Sequence, residues 1–248
     1  MSLNESWLPA QWPAATRVHA GTTTRLGGLS RGVYAGFNLA THVDDDPQAV
    51  QQNRQLLQTL LQLPSAPVWL TQVHGKVVVA AHEVTALVAA DASFTDQADV
   101  VCAVMTADCL PVFFTDVQGR YVAIAHAGWR GLVQGILTAT LDALPVVRDQ
   151  IMVWLGPGIG PTAFEVGEDV YAAFTQRAPI YAQAFVRKDP DHWWLNAYTA
   201  ARLELQLAGV NAVYGGDLCT YSDAQRFYSY RRDHHTGRMA SLIWLAAA

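Results

Sequence analysis

The sequence predicts a single-domain fold of mixed α and β type, and three observations predict it. Apolar runs of strand length recur along the chain. Other stretches carry apolar residues at helical spacing, and one segment reads strand, glycine turn, helix, strand. A length of 248 residues with 51% hydrophobic content is enough for a sizeable core and falls within the range of one domain. No repeat, low-complexity tract or linker divides residues 1–248, of which 1–16 read as irregular.

The elements follow in order. TRVHAGTTT is a strand, and the glycine-punctuated RLGGLSRGVYAGFNLATHVDDD is a long loop. Loops of that length inside compact chains commonly bind something, which singles out Arg25, Asn38 and His42. DPQAVQQNRQLLQTLLQLP has a capping Asp46, Pro47 in its first turn, apolar residues at 50, 56, 57, 60 and 61, and Pro64 as terminator, so it predicts a helix. APVWLTQVHG and KVVVAA are β-rich runs meeting at Gly75, and DVVCAVMTADCLPVFFTD reads as two strands divided around TADCL. Arg120 to His126 is a strand leading into the turn AGWRG, and the spacing from Trp129 predicts one helix up to Pro145. IMVWL follows as a strand, an order that favours a parallel pair with a crossover helix. NAYTAARLELQLAGV predicts a helix between Asn196 and Gly209, and NAVYGG and ASLIWLAAA predict closing strands.

Composition excludes several classes. A net charge of −5 argues against nucleic-acid binding, which needs a basic stripe. No apolar run is long enough to cross a bilayer, and the first residues lack a secretory pattern, so a cytoplasmic location without membrane association is expected. Three cysteines, at 102, 109 and 219, make no disulfide framework. GPGIGPTA contains G-x-G-x-x-A, but Pro161 falls inside the turn and no apolar helix follows at once. No phosphate-cradling G-x-x-x-x-G-K-[ST] occurs either.

Three soft or borderline ligands stand where β-rich runs meet turns: His74 in TQVHG, Cys109 in TADCLPV and His126 in AIAHAGWRG. A catalytic zinc site needs three such donors and one open position. Packing roles for each residue, or a Cys109 nucleophile activated by His126 with Asp108 orienting it, use the same residues equally well. Copper is a further alternative. A multicopper oxidase, however, draws on many histidines, usually in H-x-H pairs, and this chain has eight scattered ones. The turn before Trp129 suits an anion, with Arg130 adding a fork of donors. Phe164, Glu165, Arg231, Arg232 and Arg238 could face a ligand, and Cys102 reads as core.

TQVHGK, CAVMTADCLPV, AHAGWRGL, WLGPGIGP followed by AFEVG, GGDLCTYS, FYSYRRD and TGRMAS, with NLATHVDDDP and VQQNR, together resemble the bacterial laccase-domain family. That family has been called polyphenol oxidase and is also described as purine nucleoside phosphorylase. The resemblance implies a multilayer sandwich of mixed β-sheets with flanking helices, similar to the cytotoxic necrotizing factor deamidases. It implies zinc on His74, Cys109 and His126. It also implies phosphorolysis of adenosine, inosine and methylthioadenosine, and deamination of adenosine, with purine nucleosides and phosphate as partners. In that chemistry Asp108 or Glu165 would carry protons, and arginines would hold the phosphate. One departure is NLATHVDDD, where members commonly read NLG-HVGD, so the changes flank His42.

Overall fold

The computed structural model describes residues 3–247. Its strands are β1 Trp7–Pro9, β2 Val18–Thr23, β3 Val78–Ala80, β4 Ala92–Thr95, β5 Cys102–Thr106, β6 Leu110–Asp116, β7 Val122–Ala127, β8 Ile151–Leu155, β9 Glu165–Gly167, β10 Phe185–Arg187, β11 His192–Leu195, β12 Ala212–Gly215 and β13 Met239–Leu245. Its helices are α1 Leu3–Ser6, α2 Pro47–Leu61, α3 Trp129–Gln134, α4 Ile136–Ala143, α5 Glu168–Arg177, α6 Ala197–Leu207 and α7 Tyr230–Asp233. This is the expected mixed α and β fold.

A four-stranded antiparallel sheet runs β1-β2-β13-β5, and a six-stranded mixed sheet runs β12-β8-β6-β7-β4-β3. Side-chain alternation along the strands stacks them. On β6 and β7, Phe113, Val122 and Ile124 pack with Cys102, Val104 and Ile243 of the smaller sheet. Their neighbours Val112, Phe114, Ala123 and Ala125 pack instead with Leu137, Leu141 and Leu205 of α4 and α6. The far face of the smaller sheet, through Ala103, Leu242 and Trp244, meets Leu57 of α2. The order of layers is therefore helix, sheet, sheet, helices. Strands β6 and β7 are buried at every residue, which explains their unbroken apolar sequence.

Several local readings hold and others change. The α2 cap is Asp46, whose side chain accepts from the Gln48 N–H, and Asn196 caps α6 by accepting from Thr199. The helix expected from Trp129 to Pro145 is broken at Gly135, whose φ of 88° closes α3 and opens α4. Strands β7 and β8 run parallel but do not pair, because β6 lies antiparallel between them. The run APVWLTQVHG forms only isolated bridges, Val68 to Cys102 and Thr71 to Ala89. The N-terminal stretch is more ordered than expected, since β1 pairs with β2; residues 1 and 2 lie outside the described residues.

A third sheet, β10-β11-β9, was not anticipated. It lies against α5, where Tyr171 stacks on Trp193 at 3.9 Å and Phe174 meets Phe185 edge-on. Consecutive strands β5 and β6 belong to different sheets, so the chain crosses from one layer to the next at Ala107, Asp108 and Cys109.

Candidate metal centre

Three strand ends create the site. In the antiparallel ladder β6-β7, Pro111 pairs with His126 and Leu110 with Ala127, which sets Cys109 beside the end of β7. Next to β7 lies β4, whose Ala92 pairs with Ala125, so Asp91 reaches His126. The His126 N–H donates to the Asp91 carbonyl at 2.7 Å, and His126 Nδ1 lies 2.8 Å from Asp91 Oδ1. His74 arrives on a loop, and its backbone has a φ of 59°, in the left-handed region. Asp91 holds that loop by accepting from the N–H groups of Val73 at 3.2 Å, His74 at 2.9 Å and Gly75 at 2.7 Å.

One buried carboxylate thus orients two histidines. Asp91 escaped the sequence reading because it stands alone between Ala90 and Ala92. The signal was present, since a charge inside an apolar run is buried only with partners. Burial opposes its ionisation, but His126, Gly75 and Val73 hydrogen-bond to it and hold the carboxyl below its ordinary value. Its acceptor role at Nδ1 leaves Nε2 of His126 as the free donor atom.

His74, Cys109 and His126 bring one ligand atom each within 4.8 Å of one another. Cys109 Sγ and His74 Nε2 are 3.8 Å apart, against about 3.6 Å expected for sulfur and nitrogen ligands on one tetrahedral zinc. The two imidazoles meet edge to face with ring centres 4.8 Å apart. Gly128 closes the cradle, since a Cβ there would sit 2.9 Å from His74 Cδ2 and 3.1 Å from Cys109 Sγ. The donor set, its spacing and its carboxylate brace fit a metal ion. Among the described residues this is the one such cluster with three or more ligands.

The same geometry shapes the sulfur's chemistry. Burial opposes a charge on Cys109, but His126 and His74 outweigh it and bring the thiol down to about 6. Burial likewise opposes a charge on His126, and Cys109 and Asp91 push it up to about 9. Cys102, by contrast, is wholly buried in the core and its thiol is pushed up to about 12. Cys219 accepts from the Gly160 and Ser222 N–H groups and does not line the cavity at the cluster.

That cavity holds about 460 Å³. The cluster forms part of its wall, with Phe164, Trp129, Tyr230 and Ile159 giving apolar surface and Arg130, Arg231, Arg238 and His42 giving polar surface. Asp108 also lines it, with a φ of 93°; its carboxylate accepts from Thr220 Oγ1 at 2.6 Å and the Arg231 N–H at 2.7 Å. The Arg231 guanidinium donates to the Glu165 carbonyl at 2.9 Å, and Arg130 lies over the Trp129 ring at 4.3 Å. Four expected residues are not brought to the cavity wall, among them Arg232, whose guanidinium is held by the Thr220, Tyr221 and Phe227 carbonyls and by Asp233. Glu165 forms an ion pair with Lys188, and Arg25 packs over Tyr228 at 4.6 Å. Asn38 is buried and braces the loop, donating to Asp45 and accepting from the Arg238 N–H at 2.9 Å.

The model of a family described as multi-copper polyphenol oxidoreductase laccase matches residues 19–246. The chain belongs to that family. Among relatives of this laccase family, a Pseudomonas aeruginosa protein named purine nucleoside phosphorylase is 50% identical over 97% of this chain and 98% of its own. An Escherichia coli protein named purine nucleoside phosphorylase YfiH is 48% identical over 95% of this chain and 97% of its own. A solved Neisseria meningitidis structure superposes with a TM-score of 0.95 at 48% identity, covering 98% of this chain and all of that one. YlmD of Geobacillus stearothermophilus superposes with a TM-score of 0.90 at 32% identity, covering 98% of this chain and 97% of that one. Among the described residues, no helix is long and apolar enough to cross a membrane.

Proposed function

We propose that this laccase-family member is a cytoplasmic, zinc-dependent purine nucleoside phosphorylase that accepts adenosine, inosine and methylthioadenosine, and that it also deaminates adenosine. The observation that carries the reading is the Asp91-braced His74, Cys109 and His126 cluster in the wall of a cavity of about 460 Å³ with aromatic sides. Such a cavity is the size of a small-molecule site. The relatives' names supply the substrate class.

His74, Cys109 and His126 would hold the zinc, and Asp91 keeps both histidines aimed. Bound there, zinc would supply Lewis acidity to the purine or to water. Phe164, Tyr230 and Trp129 offer faces on which a purine stacks. In phosphorolysis a phosphate oxygen bonds to the ribose C1′ as the C1′–N9 bond breaks, and the electron pair leaves with the purine. Arg130 and Arg231 line the same cavity and offset the negative charge that builds on the departing purine. Asp108, held in place by Thr220 and Arg231, relays to the departing base the proton that the attacking hydrogen phosphate gives up. His42 contacts substrate from the loop, and Asn38 shapes that loop by holding Arg238. Glu165 contributes through its carbonyl, which fixes Arg231.

Two other readings use the same residues. Two histidines and a cysteine also suit copper, which the family description names. A thiol at about 6 beside an imidazole raised to about 9 is the pairing of a cysteine hydrolase. Metal analysis of wild type and Cys109→Ser, with purine release from inosine and phosphate measured in parallel, separates them. Stoichiometric zinc with activity lost in the variant supports the phosphorylase. Copper with phenol oxidation, or metal-free hydrolysis of an ester or amide, overturns it.

A further inference from the structure

The cavity at the cluster does not end at its rim. A second hollow of about 650 Å³ shares His42, Gln72 and Met105 with it. The shared wall is rigid, because the Gln72 side chain donates to the Met105 carbonyl at 2.8 Å and accepts from its N–H at 2.7 Å. An arginine belongs to each side of this wall, Arg238 to the metal lobe and Arg54 to the second.

These two guanidinium groups are unusual in their partners. Arg54 is half-buried, uses Nε on the Leu39 carbonyl, and lies over the Trp69 ring at 4.2 Å. Its Nη2 meets only the Met105 sulfur, at 3.9 Å. Arg238 is also half-buried, and its Nη1 donates to the carbonyls of Thr236 and Gly237. Neither forms an ion pair among the described residues. No acidic side chain lines the second hollow, and in the first the single carboxylate, Asp108, is committed to Thr220 and Arg231.

Withdrawing two guanidinium groups from water without a carboxylate is costly, so the fold must hold them there for something else. It holds them firmly. The loop that carries His42 is pinned at Leu39 by the Arg54 Nε, and the Leu39 N–H donates to the Arg238 carbonyl at 3.3 Å. His42 lies within the electrostatic reach of both: partial burial, then Arg238, then Arg54 keep its imidazole below the ordinary value and therefore neutral at pH 7. A neutral imidazole adds a hydrogen-bond donor without competing for the anion's charge.

We propose that the junction of the two hollows, between Arg54 and Arg238 and beside His42, is a binding site for a phosphate-class oxyanion. The proposal deepens the phosphorylase reading, on which rests only the identity of the anion as the attacking phosphate. A 5′-phosphate carried by the nucleoside offers the same chemistry.

The test is calorimetric titration of inorganic phosphate into the zinc-loaded full chain, as wild type, Arg54→Gln and Arg238→Gln. Arg238→Gln is the second variant because its tie to Asn38 runs through the backbone and survives the change. Removing one charge-assisted partner weakens phosphate by about tenfold or more, with zinc content and melting temperature retained. Wild type that takes up no phosphate, or two folded variants that bind it like wild type, overturns the proposal. Titration with inosine 5′-monophosphate and with inosine then assigns the source. If the variants lose affinity for the nucleotide and keep it for inosine, the anion belongs to the substrate; if both affinities persist while phosphate binding falls, the site serves free phosphate. Because binding is read without turnover, a chain that binds phosphate here but releases no purine removes the phosphorylase reading and leaves the anion site in place.

Discussion

Asp91→Asn isolates the brace of the metal centre, because the substitution keeps the shape of the side chain and removes one acceptor oxygen. Oδ1 serves His74 N–H and His126 Nδ1, and Oδ2 serves Val73 N–H and Gly75 N–H, so either placement of the amide leaves two donors facing an NH2 group. Each such charge-assisted bond contributes about 1.5–3 kcal/mol, and the loss of two costs about 3–6 kcal/mol. At about 2–4 °C per kcal/mol for a chain of this size, the melting temperature falls by roughly 6–24 °C. If the amide instead turns its NH2 toward His126, the imidazole moves its proton to Nε2 and loses the lone pair that faces the metal. Zinc affinity therefore drops about 10- to 100-fold, as for other carboxylates behind metal-bound histidines. Differential scanning fluorimetry of the metal-free protein and competition of the loaded protein against a chelator measure the two effects separately. An Asp91→Asn protein that melts with wild type and holds zinc equally well refutes the assignment.

Gly128→Ala places a methyl group 2.9 Å from His74 and 3.1 Å from Cys109. We expect about 1–3 kcal/mol of overpacking confined to the site, with zinc uptake reduced more than stability, as read by metal analysis beside thermal melting. Asp116, the last residue of β6, accepts from Arg120 and Tyr121 N–H groups and from the Arg120 side chain. Burial opposes its charge, but these bonds hold its pKa below the unfolded value. Its contribution is therefore present above about pH 4 and disappears as the pH falls through the folded value. Asp116→Asn should cost about 2 kcal/mol at pH 7 and progressively less as the pH is lowered below about 4, measured by denaturant unfolding across that range. Tyr198→Phe removes an OH that accepts from Gly158 and donates to the Leu218 carbonyl at 2.7 Å. A loss of about 1–3 kcal/mol, with faster amide exchange at Gly158, is the expected result.

The parts of this molecule that could be read from residues are those whose signal is local. The α2 and α6 caps and the buried strands β6 and β7 follow from composition and spacing within a few residues, whereas His74, Cys109 and His126 were singled out by their places at turns and joined into one ligand set by the family resemblance. What escaped depends on partners far along the chain. Strands β9, β10 and β11 have three or four residues each, too few for a period to show, and their pairing joins residues 165–167 to 192–194. The helix α5 buries only Val170 and Phe174, which leaves no apolar stripe in its sequence. Arg54 was hidden for the opposite reason: on a clearly amphipathic helix it reads as a solvated charge, and only Trp69 and Leu39, brought by other segments, show that it faces inward. Asn38 and His42 were picked out by the length of their loop, but the partner that organises them, Arg238, lies some two hundred residues later.

The crossing from β5 to β6 has a mechanical consequence. Two histidines belong to one framework, tied by Asp91 to the start of β4 and the end of β7, whereas Cys109 sits on the link that leaves the neighbouring sheet. A metal ion held by Cys109, His74 and His126, as proposed, would tie the start of this link's second strand to the framework that fixes both histidines, next to Asp108 with its φ of 93°.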